Sequence, residues 1–167
     1  MLPSSTVAFD PAAISTELLK DDEPRLCPAP GPDKAGGSEK GRDYEDYVKK
    51  FINPGNPTPR GWAFQLPNPT DNGEPVHFDD CQRSTGMVAE INGKYAGLLA
   101  FQQGEEAITE EWLDQSGRQV AARGWRRHRW YFAESETAAF AKKIFDATDE
   151  GRETIEIEVR PWPEQKQ

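Results

Sequence analysis

The sequence has few cysteines and histidines, no long apolar run and no excess of basic residues. Two cysteines in 167 residues do not make a disulfide framework, so we expect Cys27 and Cys81 to be free thiols, as in a reducing compartment. No stretch reaches the roughly 18 apolar residues that a membrane-spanning helix needs, so no membrane partner is expected. The two histidines, His77 and His128, are too far apart in sequence to indicate a zinc site.

Acidic residues outnumber basic ones by 29 to 20, which gives a net charge of −9. Simple nucleic-acid binding is disfavoured, because attraction to phosphate normally needs a basic surface. A nuclease is still compatible with this charge, since carboxylates that hold a metal ion are themselves negative. An acidic protein can also be bound by a basic protein partner.

The first 41 residues differ in composition from the remainder of the chain. Residues 28–41 (PAPGPDKAGGSEKG) combine proline, glycine and charge without apolar periodicity, which is typical of a linker. We therefore predict a flexible segment over 1–41, with at most a short helix at 12–20. This segment would lead from a longer protein into one folded domain at 42–167.

Hydrophobic periodicity in the second part predicts alternating helices and strands. Helices are expected from Asp43 to the proline-rich segment at 53–61, at 105–123 and at 135–147. Strands are expected at 62–66, 75–79, 87–92, 125–132 and 154–159, with a further strand or a packed loop at 95–101. This order favours a central mixed sheet flanked by helices.

Two carboxylates fall where neighbouring strands can bring them together. Asp79 ends one predicted strand and Glu90 lies within the next. Carboxylate oxygens are the ligands that Mg²⁺ prefers, so the pair is a candidate metal site. Residues two apart on a strand share a face, and position 92 therefore projects beside Glu90. A lysine there could orient an attacking water or stabilise charge on phosphorus, but the residue is Asn92.

Several segments of residues 42–161 together resemble the restriction-endonuclease-fold toxins of bacterial polymorphic and type VI secretion systems, in particular the fifth family. These segments are HFDD (77–80), VAEINGKYAGLL (88–99), SGRQVAARG (116–124), WYFAE (130–134) and IEIEVRP (155–161). The resemblance implies a PD-(D/E)xK restriction-endonuclease-like fold. It also implies an antibacterial DNase that needs Mg²⁺ or Mn²⁺.

The same resemblance implies partners and a location. The expected partners are a cognate immunity protein, the DNA substrate and a delivery component or chaperone of a secretion system. The toxin would be held with its immunity protein in the producer cytoplasm and delivered into the cytoplasm of a target bacterium.

By the resemblance, Asp79 and Glu90 hold the metal, and the catalytic lysine of the family aligns with Asn92. Three explanations stay open: an inactivating substitution, a natural loss of activity, or a charge supplied instead by Lys94, which shares the face by parity. The alternative function is a non-catalytic module that binds protein or nucleic acid on a degenerate nuclease scaffold.

Other polar residues are candidates that also have ordinary structural interpretations. Glu45, on the first predicted helix, can add a carboxylate to the site or face solvent. Asp80 can add a carboxylate or cap a turn. Gln119 shares its predicted helix face with Ile108, Trp112 and Gln115, and it can reach the site or face solvent. Arg127 and Arg129 share one strand face, which can meet phosphate or be solvated.

Overall fold

A computed structural model describes residues 26–33, 38–93 and 96–163. The helices are α1 (Glu39–Ile52), α2 (Ala96–Leu99), α3 (Gln102–Arg123) and α4 (Ser135–Thr148), followed by a 3-10 helix at Arg152–Thr154. The strands are β1 (Gly31–Pro32), β2 (Trp62–Asn68), β3 (Glu74–Phe78), β4 (Asp80–Cys81), β5 (Val88–Asn92), β6 (His128–Phe132) and β7 (Glu156–Val159).

The strands form two sheets. In the first sheet, β1, β2 and β3 lie in that order and run antiparallel to their neighbours. In the second, β4 pairs antiparallel with β5, while β5 with β6 and β6 with β7 are parallel pairs. Parallel neighbours need a long crossover, which α3 and α4 provide. The predicted mixed sheet is therefore confirmed.

Side chains alternate along β6 and pack on helices from both faces of the second sheet. Tyr131 belongs to a buried cluster with Tyr44 and Val48 of α1. Trp130 belongs to a cluster with Trp112 of α3 on the opposite face. The predicted flanking helices are confirmed, because apolar residues of one strand are covered on both sides.

The junction between the two sheets lies at Asp79. β3 ends at Phe78, which pairs with β2, and β4 starts at Asp80, which pairs with Ala89 of β5. Asp79 is the single residue between these strands. Continuing the β4–β5 register by one residue places Asp79 opposite Glu90. The change of sheet therefore brings these two carboxylates next to each other.

The largest differences from the predicted elements are at the start of α1 and at 95–101. α1 begins at Glu39 rather than at Asp43, because the Ser38 side chain caps the helix by accepting a 3.0 Å hydrogen bond from the Gly41 backbone N–H. The segment predicted as a strand or packed loop at 95–101 contains the short helix α2. β5 already pairs with β4 on one edge and β6 on the other, so the segment has no neighbouring edge to join.

The prediction of free thiols is wrong. Cys27 and Cys81 form a disulfide across a sequence separation of 54 residues, and both are buried. β1 also pairs with β2, and Arg126 Nε donates a 3.1 Å hydrogen bond to the Leu26 carbonyl. Residues 26–33 therefore lie on the domain, and the predicted linker boundary at residue 42 is wrong for them. The predicted helix at 12–20 lies outside the described residues.

Loss of the Cys27–Cys81 bond is expected to lower the free energy of unfolding by up to about 4 kcal/mol. The reason is that a cross-link across roughly 55 residues restricts the unfolded chain. Urea unfolding would be compared after refolding with and without reductant, because both sulfurs are buried in the folded state. A variant carrying both Cys27→Ser and Cys81→Ser is the control and should not respond to reductant. Equal midpoints for the unaltered protein under both conditions would show that no such bond stabilises it.

Candidate metal centre

Three carboxyl groups influence one another electrostatically beside the sheet junction. Glu45 is on α1, Asp79 lies between β3 and β4, and Glu90 is on β5. Asp79 and Glu90 are each 8% exposed, and the Glu45 side chain is 22% exposed. The charge of Asp79 raises the pKa of the other two carboxyl groups, and the charge of Glu45 raises the pKa of Glu90. The fold therefore gathers three of the carboxylates that the sequence singled out.

Burial and mutual repulsion make these carboxyl groups difficult to ionise. Burial raises the pKa of Glu90 well above its ordinary value, and the neighbouring Asp79 charge raises it further. Burial also raises the pKa of Asp79, and it raises the pKa of Glu45 to about 7. Near neutral pH such a group of carboxylates is stabilised either by protons or by a cation bound among them.

Glutamines of α3 hold the Glu90 carboxylate from one side of the sheet. Gln119 Nε2 donates to Glu90 Oε1 at 3.0 Å, and Gln115 Nε2 donates to Glu90 Oε2. The Gln119 carbonyl oxygen accepts a 2.9 Å hydrogen bond from Trp130 Nε1 and lies 2.9 Å from His128 Nε2. Gln119 is fully buried, so its orientation is fixed by these partners. Gln115 was placed on the correct helix face but was not predicted as a site residue.

The Asp79 carboxylate is oriented by the backbone. Its Oδ2 accepts a 2.7 Å hydrogen bond from the Ile91 backbone N–H. This contact crosses from the β3–β4 junction to β5, next to Glu90 in sequence. One oxygen of Asp79 is therefore engaged with β5, while Oδ1 lies 3.8 Å from His77 Nε2.

Lys49 places an ammonium beside the carboxylates, although no sequence pattern indicated it. Its side chain is 1% exposed, and Nζ lies 3.0 Å from Glu45 Oε1. Nζ also donates a 2.9 Å hydrogen bond to the Trp62 carbonyl. The Lys49 charge lowers the pKa of Glu45 and of Asp79 and so opposes the effect of burial. A lysine in the last turn of a helix is usually solvated, which is why periodicity alone did not single it out.

Asn92 is buried on the same face of β5 as Glu90. It is 3% exposed, and its backbone carbonyl accepts a 3.1 Å hydrogen bond from the Ala133 N–H. Its Nδ2 has no hydrogen-bond partner among the described residues, so the side chain places an unsatisfied donor in the interior. Lys94, the other candidate for the catalytic charge, lies outside the described residues.

Asp80 has a structural environment away from the other carboxylates. It is fully buried, and its Oδ1 accepts 2.8 Å hydrogen bonds from Thr58 Oγ1 and from the Cys81 N–H. Asn53 Nδ2 approaches the same oxygen at 3.4 Å. These contacts tie the segment after α1 to β4, and burial raises the Asp80 pKa to about 7.

As the pH rises from 5.5 to 8, the free energy of unfolding of the unaltered protein is expected to fall by about 2 kcal/mol relative to that of the Asp80→Asn variant. A carboxyl whose folded pKa is about 7 stabilises the fold while protonated, and this contribution is lost as pH rises through 7. Asn can keep the contacts of Oδ1 but does not titrate. His128, whose pKa burial lowers to about 3, opposes this slope equally in both proteins. Urea unfolding with EDTA measures both curves, and a constant difference between them would contradict the prediction.

The two candidate arginines form ion pairs: Arg127 lies just before β6, and Arg129 lies within it. Arg127 Nη2 lies 2.8 Å from Glu156 Oε1, and Arg129 Nη2 lies 2.9 Å from the same oxygen. Arg129 Nη1 is also 3.4 Å from Glu158 Oε1. The guanidinium groups share a face as predicted, but they meet the glutamates of β7. Alternation along β6 could predict their common face but not this neighbour.

No protein-family model, no curated protein and no solved structure matches this chain. None of the helices within residues 26–33, 38–93 and 96–163 is long and apolar enough to cross a membrane.

Proposed function

We propose that the chain is a metal-dependent nuclease, an antibacterial toxin domain that hydrolyses DNA phosphodiester bonds. The observation that carries the proposal is the placement of buried Asp79 opposite buried Glu90 at the sheet junction, with the half-buried Glu45 close enough to act on both. The pKa values of all three carboxyl groups are raised. The mixed sheet between helices agrees with the PD-(D/E)xK restriction-endonuclease-like fold that the sequence resemblance implies. Buried carboxylates with perturbed pKa values are typical of functional sites.

The donor set suits a hard divalent cation. Carboxylate oxygens from three elements are the ligands that Mg²⁺ and Mn²⁺ accept. Such an ion would balance the negative charge and polarise a phosphoryl oxygen of the substrate. In the hydrolysis, the water oxygen loses a proton and bonds to phosphorus, while the bond from phosphorus to one ester oxygen breaks and that oxygen takes up a proton. Asp79, Glu90 and Glu45 would hold the ion.

The other side chains of the centre would orient these ligands. Gln115 and Gln119 fix both oxygens of Glu90, and Lys49 pairs with Glu45. Hydrogen bonds from neighbouring side chains to a metal ligand set its direction. Position 92 lies beside Glu90, where a lysine ammonium could act on the attacking water. Asn92 provides only a neutral amide, so we propose that the chain as written is inactive or attenuated.

The proposed partners follow from the same function. A nuclease toxin needs a cognate immunity protein in the producing cell, and the net charge of −9 favours a partner with a basic patch. Delivery into the cytoplasm of a target bacterium by a secretion system, with a delivery component or chaperone, is part of the same proposal.

The proposal is tested with supercoiled plasmid in Mg²⁺ or Mn²⁺, with EDTA as the metal-free control. Weak nicking that disappears in EDTA and returns with added metal is the expected result for the chain as written. Single- and double-stranded RNA in parallel reactions decide the nucleic-acid class. Cutting of RNA alone would overturn the DNase assignment, and metal-independent cutting would overturn the role of the carboxylates.

A non-catalytic binding module is the second candidate function, and Asn92 is the observation that favours it. A buried amide without a partner replaces the residue that the chemistry needs. Under this alternative, the chain binds DNA or a protein but cuts nothing, even with lysine at position 92. Gel-shift and cleavage assays on the same variant separate the two functions.

A further inference from the structure

A histidine and two aspartates meet at the edge of the proposed nuclease centre. Asp33 follows β1, His77 belongs to β3 and Asp79 follows β3. One ligand atom from each lies within 4.8 Å of the others. His77 Nε2 is 3.4 Å from Asp33 Oδ2 and 3.8 Å from Asp79 Oδ1. The group therefore combines an imidazole nitrogen with two carboxylate oxygens.

This spacing is close to that of ligands around a single ion. Nitrogen and oxygen ligands lie about 2.0–2.2 Å from a zinc-like ion, which places neighbouring ligands roughly 3.0–3.6 Å apart. The distances from Nε2 to the two carboxylates are near or slightly above that range. Small side-chain rotations that shorten the distance from Nε2 to Asp79 Oδ1 would bring these two atoms into that range.

The Nε2 atom of His77 is buried without a hydrogen bond to any residue that the structure describes, which is unusual for a residue with only a structural role. Nε2 is shielded from solvent and has no hydrogen-bond partner among the described residues. A buried polar atom without a partner is costly, and coordination to a metal would remove that cost. The side chain as a whole is 33% exposed, so the group lies close to the surface of the domain.

Hydrogen bonds anchor the segments that carry the three ligands. The Ile91 N–H donates to the second oxygen of Asp79, and Gln119 Nε2 donates to the His77 carbonyl at 3.1 Å. The Asp33 N–H donates to the Gly61 carbonyl at 2.8 Å, and the disulfide at Cys27 ties the same segment to the domain. Held ligands lose little conformational entropy when a metal binds, which favours affinity.

We propose that Asp33, His77 and Asp79 bind one divalent transition-metal ion of the class that accepts imidazole, such as Zn²⁺ or Co²⁺, in preference to Mg²⁺. Mg²⁺ favours sites made only of oxygen ligands, whereas a nitrogen ligand favours Zn²⁺ and Co²⁺. Three protein ligands leave a position for water or substrate. The site shares Asp79 with the proposed nuclease centre, but metal binding here does not depend on cleavage.

The test uses the full chain without a histidine tag. Binding of Zn²⁺ and Mg²⁺ is measured by calorimetry, and binding of Co²⁺ by its visible absorption. Zn²⁺ is expected to bind at least about 100-fold more tightly than Mg²⁺. His77→Gln and Asp33→Asn are each expected to weaken Co²⁺ binding by at least about 100-fold, since even outer-shell changes cost about 10- to 100-fold. Circular dichroism without metal confirms that each variant is folded.

Glu90→Gln is the matched control, because it alters the proposed nuclease centre and leaves the triad intact. Retained Co²⁺ binding in Glu90→Gln, together with its loss in His77→Gln, supports the triad. Retained binding in folded His77→Gln and Asp33→Asn overturns it, and so does equal affinity for Zn²⁺ and Mg²⁺. Absence of cleavage by folded Asn92→Lys would refute the nuclease, while specific Co²⁺ binding would still support the triad.

Discussion

Replacing Asn92 by lysine is expected to raise the rate of plasmid cleavage by about 100- to 1000-fold. One preorganised charged donor typically contributes about 2.7–4 kcal/mol to transition-state stabilisation. Asn92 lies on the face of β5 that carries Glu90, and it is 3% exposed, so a lysine ammonium there would be directed into the centre rather than into solvent. Initial nicking rates on supercoiled plasmid with Mg²⁺, for the chain as written and for Asn92→Lys, measure the effect.

Two further variants separate the sources of positive charge. Lys94→Ala and Lys49→Met are made in the chain that carries Asn92. Only weak cleavage is expected of that chain, so neither variant is expected to remove a strong activity. Robust cutting that disappears in Lys94→Ala would show that Lys94 is the working lysine. Robust cutting that disappears in a folded Lys49→Met would assign that role to the ammonium on α1. If Asn92→Lys is folded but silent, and harmless in cells without the immunity protein, the nuclease proposal fails.

Asp79→Asn, introduced into the Asn92→Lys variant, is expected to reduce cleavage by at least about 1000-fold. A metal ion stabilises the transition state by several kcal/mol, and each 1.36 kcal/mol corresponds to a factor of ten in rate. The amide keeps an oxygen that can accept from the Ile91 N–H but loses the charge that would hold the cation. Cleavage rates in Mg²⁺ and Mn²⁺ measure the loss.

Asp80→Asn in the same background is the matched control. Asp80 is the next residue and is also buried, but its carboxylate binds Thr58 and the Cys81 backbone. Its cleavage rate is expected to stay within a few-fold of the parent. Equal losses in both variants would indicate a general effect of removing a buried carboxyl rather than loss of a metal ligand.

Local patterns in the sequence predicted the elements that build the centre. Alternation predicted β3 and β5, with Glu90 and Asn92 on one face, because side chains of a strand alternate. Helical periodicity placed Gln115 and Gln119 on one face of α3, where both reach Glu90. These predictions succeeded because each depends on residues close together in the chain.

The sequence by itself determined the three long helices, the strands β2, β3, β5, β6 and β7, a mixed sheet, and the common face of Glu90 and Asn92. Tertiary structure alone decided that Cys27 bonds to Cys81, that Lys49 is buried beside Glu45 and that Asp33 reaches His77. It also decided that Arg127 and Arg129 form ion pairs with Glu156 of β7. The physical reason is that such contacts join segments far apart in the chain, and their free energy depends on burial and distance, which no local periodicity records.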